Sequence, residues 1–277
     1  MGRARDWVVG VVSLAVVGSL IAGGVWAYYS VKGEPLPLQP SCTASVGEYS
    51  ATIDLEQARN AGIIAGVSVK RKLVPRAATI ALATAYQESG IRNLDYGHAD
   101  SLGLFQQRPS QGWGTEEQVQ DPWYSSKKFY EALVKVPDWQ NSDINDTAQA
   151  VQRSGVPDGY RKHESNARAL ASALTGETPA SFTCSYDAAA PNIAGMEKYL
   201  EDTYGKRISV SEIENGLSVK ADTLTHAWSV AEVAIAAGAG YGLISAELGL
   251  SVWQAGRAAT WTGEFPKDNT AVDLLFA

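Results

Sequence analysis

The sequence predicts a mainly α domain behind an N-terminal transmembrane helix, followed by a small α+β C-terminal domain. Three observations predict this fold class: an uncharged apolar run near the N-terminus, helical apolar spacing up to Cys184, and a change of periodicity after the Ala-Pro stretch at 188–191. The predicted segments are a cytoplasmic tip and membrane anchor at 1–29, a Pro-rich linker at 30–52, a first domain at 53–186 and a second domain of unknown role at 187–277.

The uncharged run at 7–29 is long enough to cross a bilayer core of about 30 Å as a helix. Arg3 and Arg5 precede it, so the positive-inside rule predicts a cytoplasmic N-terminus and an exported remainder, as in a single-pass protein of the cell membrane. A cleaved signal peptide is the alternative, with a cleavage signature ending at Ala27, and the protein would then be secreted. In both cases the rest of the chain is expected outside the membrane.

Residues 30–52 contain several prolines and small polar residues, which favour an extended spacer. We expect no strand before Cys184. Helices are predicted there from apolar spacing, including one that Pro75 opens and Gly90 caps. The other predicted helices are 55–67, 123–134, 147–152 and 162–174.

The second domain is predicted as helices and short strands in alternation. Segment 230–242 is apolar, but Glu232 and three glycines interrupt it, so a buried helix and turn is expected there rather than a second membrane span. The predicted helices are 193–204 and 224–237, and the predicted strands are 208–210, 217–219, 241–245, 250–254 and 271–276.

Charge and cysteine content limit the possible partners. The net charge of −7 argues against nucleic acid, because phosphate-binding proteins concentrate Lys and Arg. In an exported chain the two cysteines, Cys42 and Cys184, are predicted to form a disulfide, with two unpaired buried thiols as the alternative. No metal site is expected, because the three histidines at 98, 163 and 226 show no ligand spacing with the cysteines. No cofactor is predicted.

Glu88 is the candidate catalytic acid. It lies at the end of the apolar stretch 77–86, where the negative end of the helix dipole and desolvation beside Tyr86 both disfavour a charged carboxylate. A carboxyl whose pKa is raised in this way can donate a proton to a glycosidic oxygen. The alternative for Glu88 is a surface residue at a helix end.

The motifs around Glu88 carry a family resemblance. Glu-Ser-Gly at 88–90, Gly-Leu-Phe-Gln at 103–106 and a helical Ala-Gln-Ala-Val-Gln at 148–152 leading to Tyr160 resemble the ordered motifs of soluble lytic transglycosylases and goose-type lysozymes. The resemblance covers roughly 53–174 and departs at the third motif, which is usually Ala-Tyr-Asn. It implies a lysozyme-like fold for the first domain, Glu88 as catalytic acid and base, Gln106 in the cleft, and Tyr160 hydrogen-bonded near the acid.

Further substrate contacts are predicted from the segment after Gln106. Trp113 lies between two glycines, so a loop could present its ring to a sugar. Gln107 and Arg108 add amide and guanidinium donors suited to acetamido and lactyl groups.

A second carboxylate is an open question. An ordinary glycosidase pairs its acid with a nucleophile about 5 Å away or a base about 6.5–9.5 Å away, and Asp95, Asp100 and Asp121 are the candidates. Asp95 and Asp100 lie in the loop after the predicted helix that ends near Glu88, where Asp is also a common turn residue. The resemblance implies that no second carboxylate is required, because the N-acetyl group and 6-hydroxyl of the substrate act instead and give a 1,6-anhydromuramic product.

The sequence thus favours a membrane-anchored, exported enzyme that cuts the N-acetylmuramic acid–N-acetylglucosamine bond of peptidoglycan, as a lytic transglycosylase does. One alternative is a lysozyme-type hydrolase with the same acid. The other is a non-catalytic wall-binding module of an envelope assembly. The expected partners are glycan strands and the membrane, whereas protein partners are left open.

Overall fold

The structure is a computed structural model that describes residues 39–277. The predicted membrane helix at 7–29 and the predicted linker as far as residue 38 lie outside the described residues. Within 39–277, the helices are all too short or too polar to cross a bilayer. The described fold begins with a strand at Ser41, where the sequence predicts linker.

Three strands form a small antiparallel sheet near the start of the described chain. Strand β1 (Ser41–Val46) lies between β2 (Tyr49–Ile53) and β3 (Phe182–Ser185). Cys42 stands opposite Cys184 in register, and the two form a disulfide, so the predicted pairing is confirmed. The expectation of no strand before Cys184 is wrong. Alternate side chains of β1 are buried in the core, and its backbone pairs both with β2, the next strand along the chain, and with β3, far along the chain.

Six helices lie between β2 and β3, and α2 is central among them. They are α1 (Leu55–Lys70), α2 (Pro75–Ser89), α3 (Glu116–Gln120), α4 (Pro122–Leu133), α5 (Ile144–Gln152) and α6 (Glu164–Leu174). Asp54 and Gln57 start α1 with a capping box, each side chain accepting from the other's backbone N–H. Pro75 starts α2 and Gly90 ends it in the left-handed conformation, with φ of 66°, as predicted. Because α2 packs against α1, α5 and α6, its apolar residues lie in the core.

Two helices and six strands complete the chain. The helices are α7 (Ile193–Tyr204) and α8 (Leu224–Tyr241), so the helix predicted at 193–204 is confirmed. The strands are β4 (Ile208–Ile213), β5 (Gly216–Ala221), β6 (Leu243–Leu248), β7 (Ser251–Gln254), β8 (Trp261–Thr262) and β9 (Ala271–Phe276). They form one antiparallel sheet in the order β4-β5-β9-β6-β7-β8, against which α8 packs.

The predicted fold class, a mainly α lysozyme-like domain followed by a small α+β domain, is wrong. Residues Pro40–Ala277 form one compact unit that contains a six-stranded sheet and one continuous hydrophobic core from β1 to β9. Helix α1 packs against both α7 and α8. Glycines allow this close approach, since a Cβ at Gly66 would lie 2.2 Å from Thr203 Cγ2. Apolar periodicity within a segment does not reveal such a contact between distant helices.

Polar contacts also fasten α8 and the large sheet to β3. The buried Glu232 of α8 accepts hydrogen bonds at Oε1 from the backbone N–H groups of Ser181, at 2.7 Å, and Phe182, at 3.2 Å. From β7, Trp253 Nε1 donates to Thr183 Oγ1 at 2.9 Å. Glu232 Oε2 is buried without a hydrogen-bond partner among the described residues, and burial raises the pKa of this carboxyl well above its usual value. The contact between α8 and β3 therefore contains a carboxyl group whose neutral form is favoured more than in an exposed Glu.

Candidate functional site

Glu88 lies in the last turn of α2, where the helix leaves the core. The preceding nine residues from Ala77 onward are buried, and Gly90 then stops the helix. Ser89 Oγ donates to the carbonyl oxygen of Leu104 at 2.8 Å, which holds the helix end against the loop with the Gly-Leu-Phe-Gln motif. Glu88 is consequently half-buried in the wall of a cleft and is not a freely exposed residue at a helix end.

The carboxyl group of Glu88 has a close partner in Tyr160. The Tyr160 hydroxyl donates to Glu88 Oε1 at 2.7 Å, and Tyr160 itself is fully buried. Burial raises the pKa of Glu88, while hydrogen bonds from Tyr160 and Gln152 oppose that rise. The pKa of Tyr160 is raised by burial and by Glu88, so its hydroxyl remains a donor. The cleft therefore holds a carboxyl whose protonated form is favoured relative to an exposed Glu.

The cleft beside Glu88 has a volume of about 490 Å³, which is in the range of ligand pockets. Its walls come from the loop after α2, the 106–113 segment and the C-terminal end of α5. Gln106 lines it in a left-handed backbone conformation, with φ of 47°, and its Nε2 donates to the carbonyl oxygen of Tyr96 at 3.2 Å. Gln106 thus lies in the cleft wall and also braces the loop that precedes it.

Gln107 also borders this cleft, but its amide is buried. Its Nε2 donates to the carbonyl oxygen of Ser125 at 3.2 Å, whereas its Oε1 is buried and has no partner among the described residues. Buried polar atoms are ordinarily paired, so this oxygen is an exception, and Gln107 mainly ties the cleft segment to α4.

None of the three candidate second carboxylates is among the described residues that line the cleft with Glu88. Asp121 caps the start of α4 by accepting from the backbone N–H groups of Trp123 and Tyr124. Asp100 accepts from Arg108 Nε and from the backbone N–H of Ser110, each at 2.7 Å, and these bonds lower its pKa. Arg108 lines the cleft, and this ion pair engages the Nε of its guanidinium. Asp95 is exposed and lies outside the lining. Of the described residues that line the cleft, Glu88 alone carries a carboxyl group.

Trp113 marks the junction with a second, larger compartment of about 730 Å³. Its ring is half-buried and packs against the core, and Gly112 and Gly114 on either side have φ of 82° and 145°. Both compartments share four lining residues, namely Gln111, Trp113, Gln152 and Arg153. Each compartment has the size of a small-molecule site, and the shared residues make the two adjoining parts of one cleft.

Several lining residues were not among the predicted site residues. Gln152 Nε2 donates to the carbonyl oxygen of Phe105 at 2.7 Å, which joins the end of α5 to the loop beside Glu88. Gln152 lies within the motif at 148–152 that the sequence offered, so the motif was a usable signal. Lys135 and Arg153 were missed because isolated basic residues in a sequence resemble any solvated helix end.

The sequence matches no protein-family model and no curated protein. The chemistry of the cleft therefore carries the functional conclusion. Within residues 39–277, His, Cys, Asp and Glu side chains form no group of three or more that could hold a metal ion. The cleft combines a half-buried acid, a phenol that donates to it, and several amides. These groups can transfer a proton to or from a neutral, polar ligand.

Proposed function

We propose that the protein is an exported enzyme that cleaves peptidoglycan strands at the bond between N-acetylmuramic acid and N-acetylglucosamine, with Glu88 as acid and base. The observation that carries the proposal is a half-buried carboxyl, bonded to Tyr160, in a cleft of two adjoining compartments with no second carboxyl among its described lining residues. The disulfide between Cys42 and Cys184 supports an oxidising, extracytoplasmic location. In this proposal the run at 7–29 anchors the enzyme to the membrane.

The proposed reaction begins with protonation of the glycosidic oxygen by Glu88, as the bond from that oxygen to C1 of the muramic sugar breaks. The charge that develops at C1 requires a nucleophile. Because Glu88 carries the one carboxyl group among the described residues that line the cleft, the acetamido oxygen of the substrate attacks C1 in place of the second carboxylate that ordinary glycosidases use. Glu88, now ionised, accepts the proton of the 6-hydroxyl, whose oxygen displaces the acetamido group. The product is a 1,6-anhydro sugar, and Glu88 is again protonated.

Tyr160 supports both halves of this cycle. Its hydroxyl stabilises the ionised carboxylate after the first proton transfer, and burial of Glu88 favours the protonated form before it. Burial thus raises the pKa of Glu88 while the bond from Tyr160 opposes that rise, and the proposed cycle uses the carboxyl first as a proton donor and then as an acceptor.

Mass spectrometry of muropeptides released from purified sacculi tests the proposal. The unaltered protein should release fragments one water lighter than hydrolytic products, and Glu88→Gln should lower the rate by at least about a hundredfold. Glu117→Gln is the matched control, because Glu117 is an exposed acid outside both compartments. Products with reducing ends would instead identify a lysozyme-type hydrolase. Binding without cleavage on sacculi of several wall types would identify a wall-binding module and contradict the enzymatic proposal.

A further inference from the structure

The second compartment contains two cations without counter-ions. Lys135 follows α4 and Arg153 caps the end of α5, and both are exposed and line this compartment. Neither makes an ion pair with a described residue, and no carboxyl group occurs among the described lining residues. The protein as a whole has a net charge of −7. A local positive region in a cleft of an acidic protein attracts anionic groups to that cleft.

The backbone at Arg153 points to a role for its side chain. Arg153 has φ of 54°, in the left-handed region where glycine is the usual residue at a helix end. Its N–H still donates to the carbonyl oxygen of Gln149 at 2.7 Å, so the cap needs the backbone and not the guanidinium. A cation near a helix C-terminus is favourable for the helix dipole, but this does not explain why both such cations line the same cleft.

The remaining walls are suited to a peptide. Gln111 carries an amide that can donate to and accept from a peptide backbone, and Ala132, Val136 and Pro137 provide apolar surface. Trp113 and Gln152 border both compartments, so one branched ligand can occupy both.

We propose that this compartment binds the peptide stems of the strand that Glu88 cuts, with Lys135 and Arg153 pairing with stem carboxylates. The inference rests on the proposed function, because the stems branch from the muramic sugars next to the scissile bond. Guanidinium and ammonium groups bind carboxylates through charge-assisted hydrogen bonds. The enzyme therefore acts faster on stem-bearing strands than on bare glycan.

The test uses the full-length protein with Arg153→Gly combined with Lys135→Gln. The glycine fits the left-handed cap, so loss of folding is not expected from that change. The substrates are glycan strands of one preparation, either intact or stripped of stems by an amidase. The ratio of cleavage rates, intact over stripped, should exceed one and fall about two- to tenfold in the double variant. Raising the ionic strength should lower the ratio of the unaltered protein in the same direction.

Lys72→Gly is the matched control, because Lys72 is an exposed cation with φ of 60° just beyond α1, outside both compartments. Its ratio should equal that of the unaltered protein. Lys135 and Arg153 could bind either stem carboxylates or the phosphates of wall polymers attached to the glycan. A third substrate, freed of phosphate-containing wall polymers but retaining its stems, distinguishes these two anions. A ratio that depends on those polymers and not on the stems overturns the inference.

Failure of the inference is separable from failure of the proposed function. Cleavage with the same ratio in the double variant overturns stem binding and leaves the enzyme intact. If no strand is cleaved, co-sedimentation with intact and stripped sacculi replaces the rates. Binding that depends on the stems and on the two cations then supports the inference while the proposed function fails, and binding independent of both overturns the inference as well.

Discussion

Tyr160→Phe removes the hydroxyl that donates to Glu88 Oε1 at 2.7 Å and leaves the buried ring in place. A donor to a carboxylate stabilises its ionised form, so its loss raises the pKa of Glu88 further. The protonated acid, which starts the proposed reaction, then persists to higher pH. The ionised form, which completes it, becomes less favourable.

The size of the effect follows from the bond that is lost. A hydrogen bond to a charged group contributes about 1.5–3 kcal/mol, and a factor of ten in rate corresponds to about 1.4 kcal/mol. We therefore expect Tyr160→Phe to lower the maximal rate of muropeptide release about ten- to a hundredfold. In a pH–rate profile, the alkaline limb should move to higher pH, since an acid with a raised pKa loses its proton later.

Tyr130→Phe is the control for this experiment. Tyr130 is also fully buried, and its hydroxyl donates to the carbonyl oxygen of Ile64 at 2.8 Å, away from the cleft. Tyr130→Phe should lower the free energy of unfolding by about 1 kcal/mol, the contribution of one hydrogen bond between neutral groups, and should leave the pH–rate profile unchanged. An unshifted limb for Tyr160→Phe, or a shift to lower pH, would refute the role assigned to the phenol.

Three further predictions concern stability. Glu232→Gln should raise the free energy of unfolding at pH 8 and change it little at pH 4. The reason is that the pKa of Glu232 is raised in the fold, so its contribution to stability is fully present below its unfolded pKa of about 4.3 and is lost as the pH rises toward its folded pKa. Denaturant titrations at both pH values check this, and equal effects at the two pH values would contradict it. Replacing both Cys42 and Cys184 by Ser should lower the free energy of unfolding by about 2–5 kcal/mol in the same titrations, because the disulfide closes a loop with a sequence separation of 142 in the unfolded chain. An unchanged free energy of unfolding would contradict this role of the disulfide. Gly66→Ala should lower the melting temperature measurably, because its Cβ would overlap Thr203, and an unchanged value would show that α7 yields without cost.

The helices were largely predictable because their signals are local. Proline at the first turn of α2 and glycine at its end follow from backbone stereochemistry, and both lie where the sequence placed them. Strand β1 was not predictable in the same way. Its residues 41–46 are small and polar as often as apolar, so they carry no clear strand pattern, although β2 pairs with them directly after a short turn. Their second partner, β3, lies far along the chain, and long-range pairing leaves little trace in a local pattern.

The candidate site shows the same division. Glu88 and Tyr160 are separated by 72 positions yet lie within hydrogen-bonding distance, as the order of the motifs implied. Asp100, by contrast, was a candidate partner for the acid, but its carboxylate caps a local turn and pairs with Arg108. A turn residue and a catalytic residue can have the same sequence context, because only the side-chain direction separates them. The second compartment was missed since its walls come from distant segments of the chain.

The central position of β1 has a mechanical consequence. A pull on the chain before Pro40 would load β1 first, and β1 is hydrogen-bonded along both edges and cross-linked through Cys42. The disulfide passes the load to β3 at Cys184, directly after the helices that surround the cleft. A stretching force from that end would therefore pass through the disulfide and not through residues 43–183, which include Glu88 and Tyr160. The cleft is thus shielded from tension on the side where the proposed anchor lies.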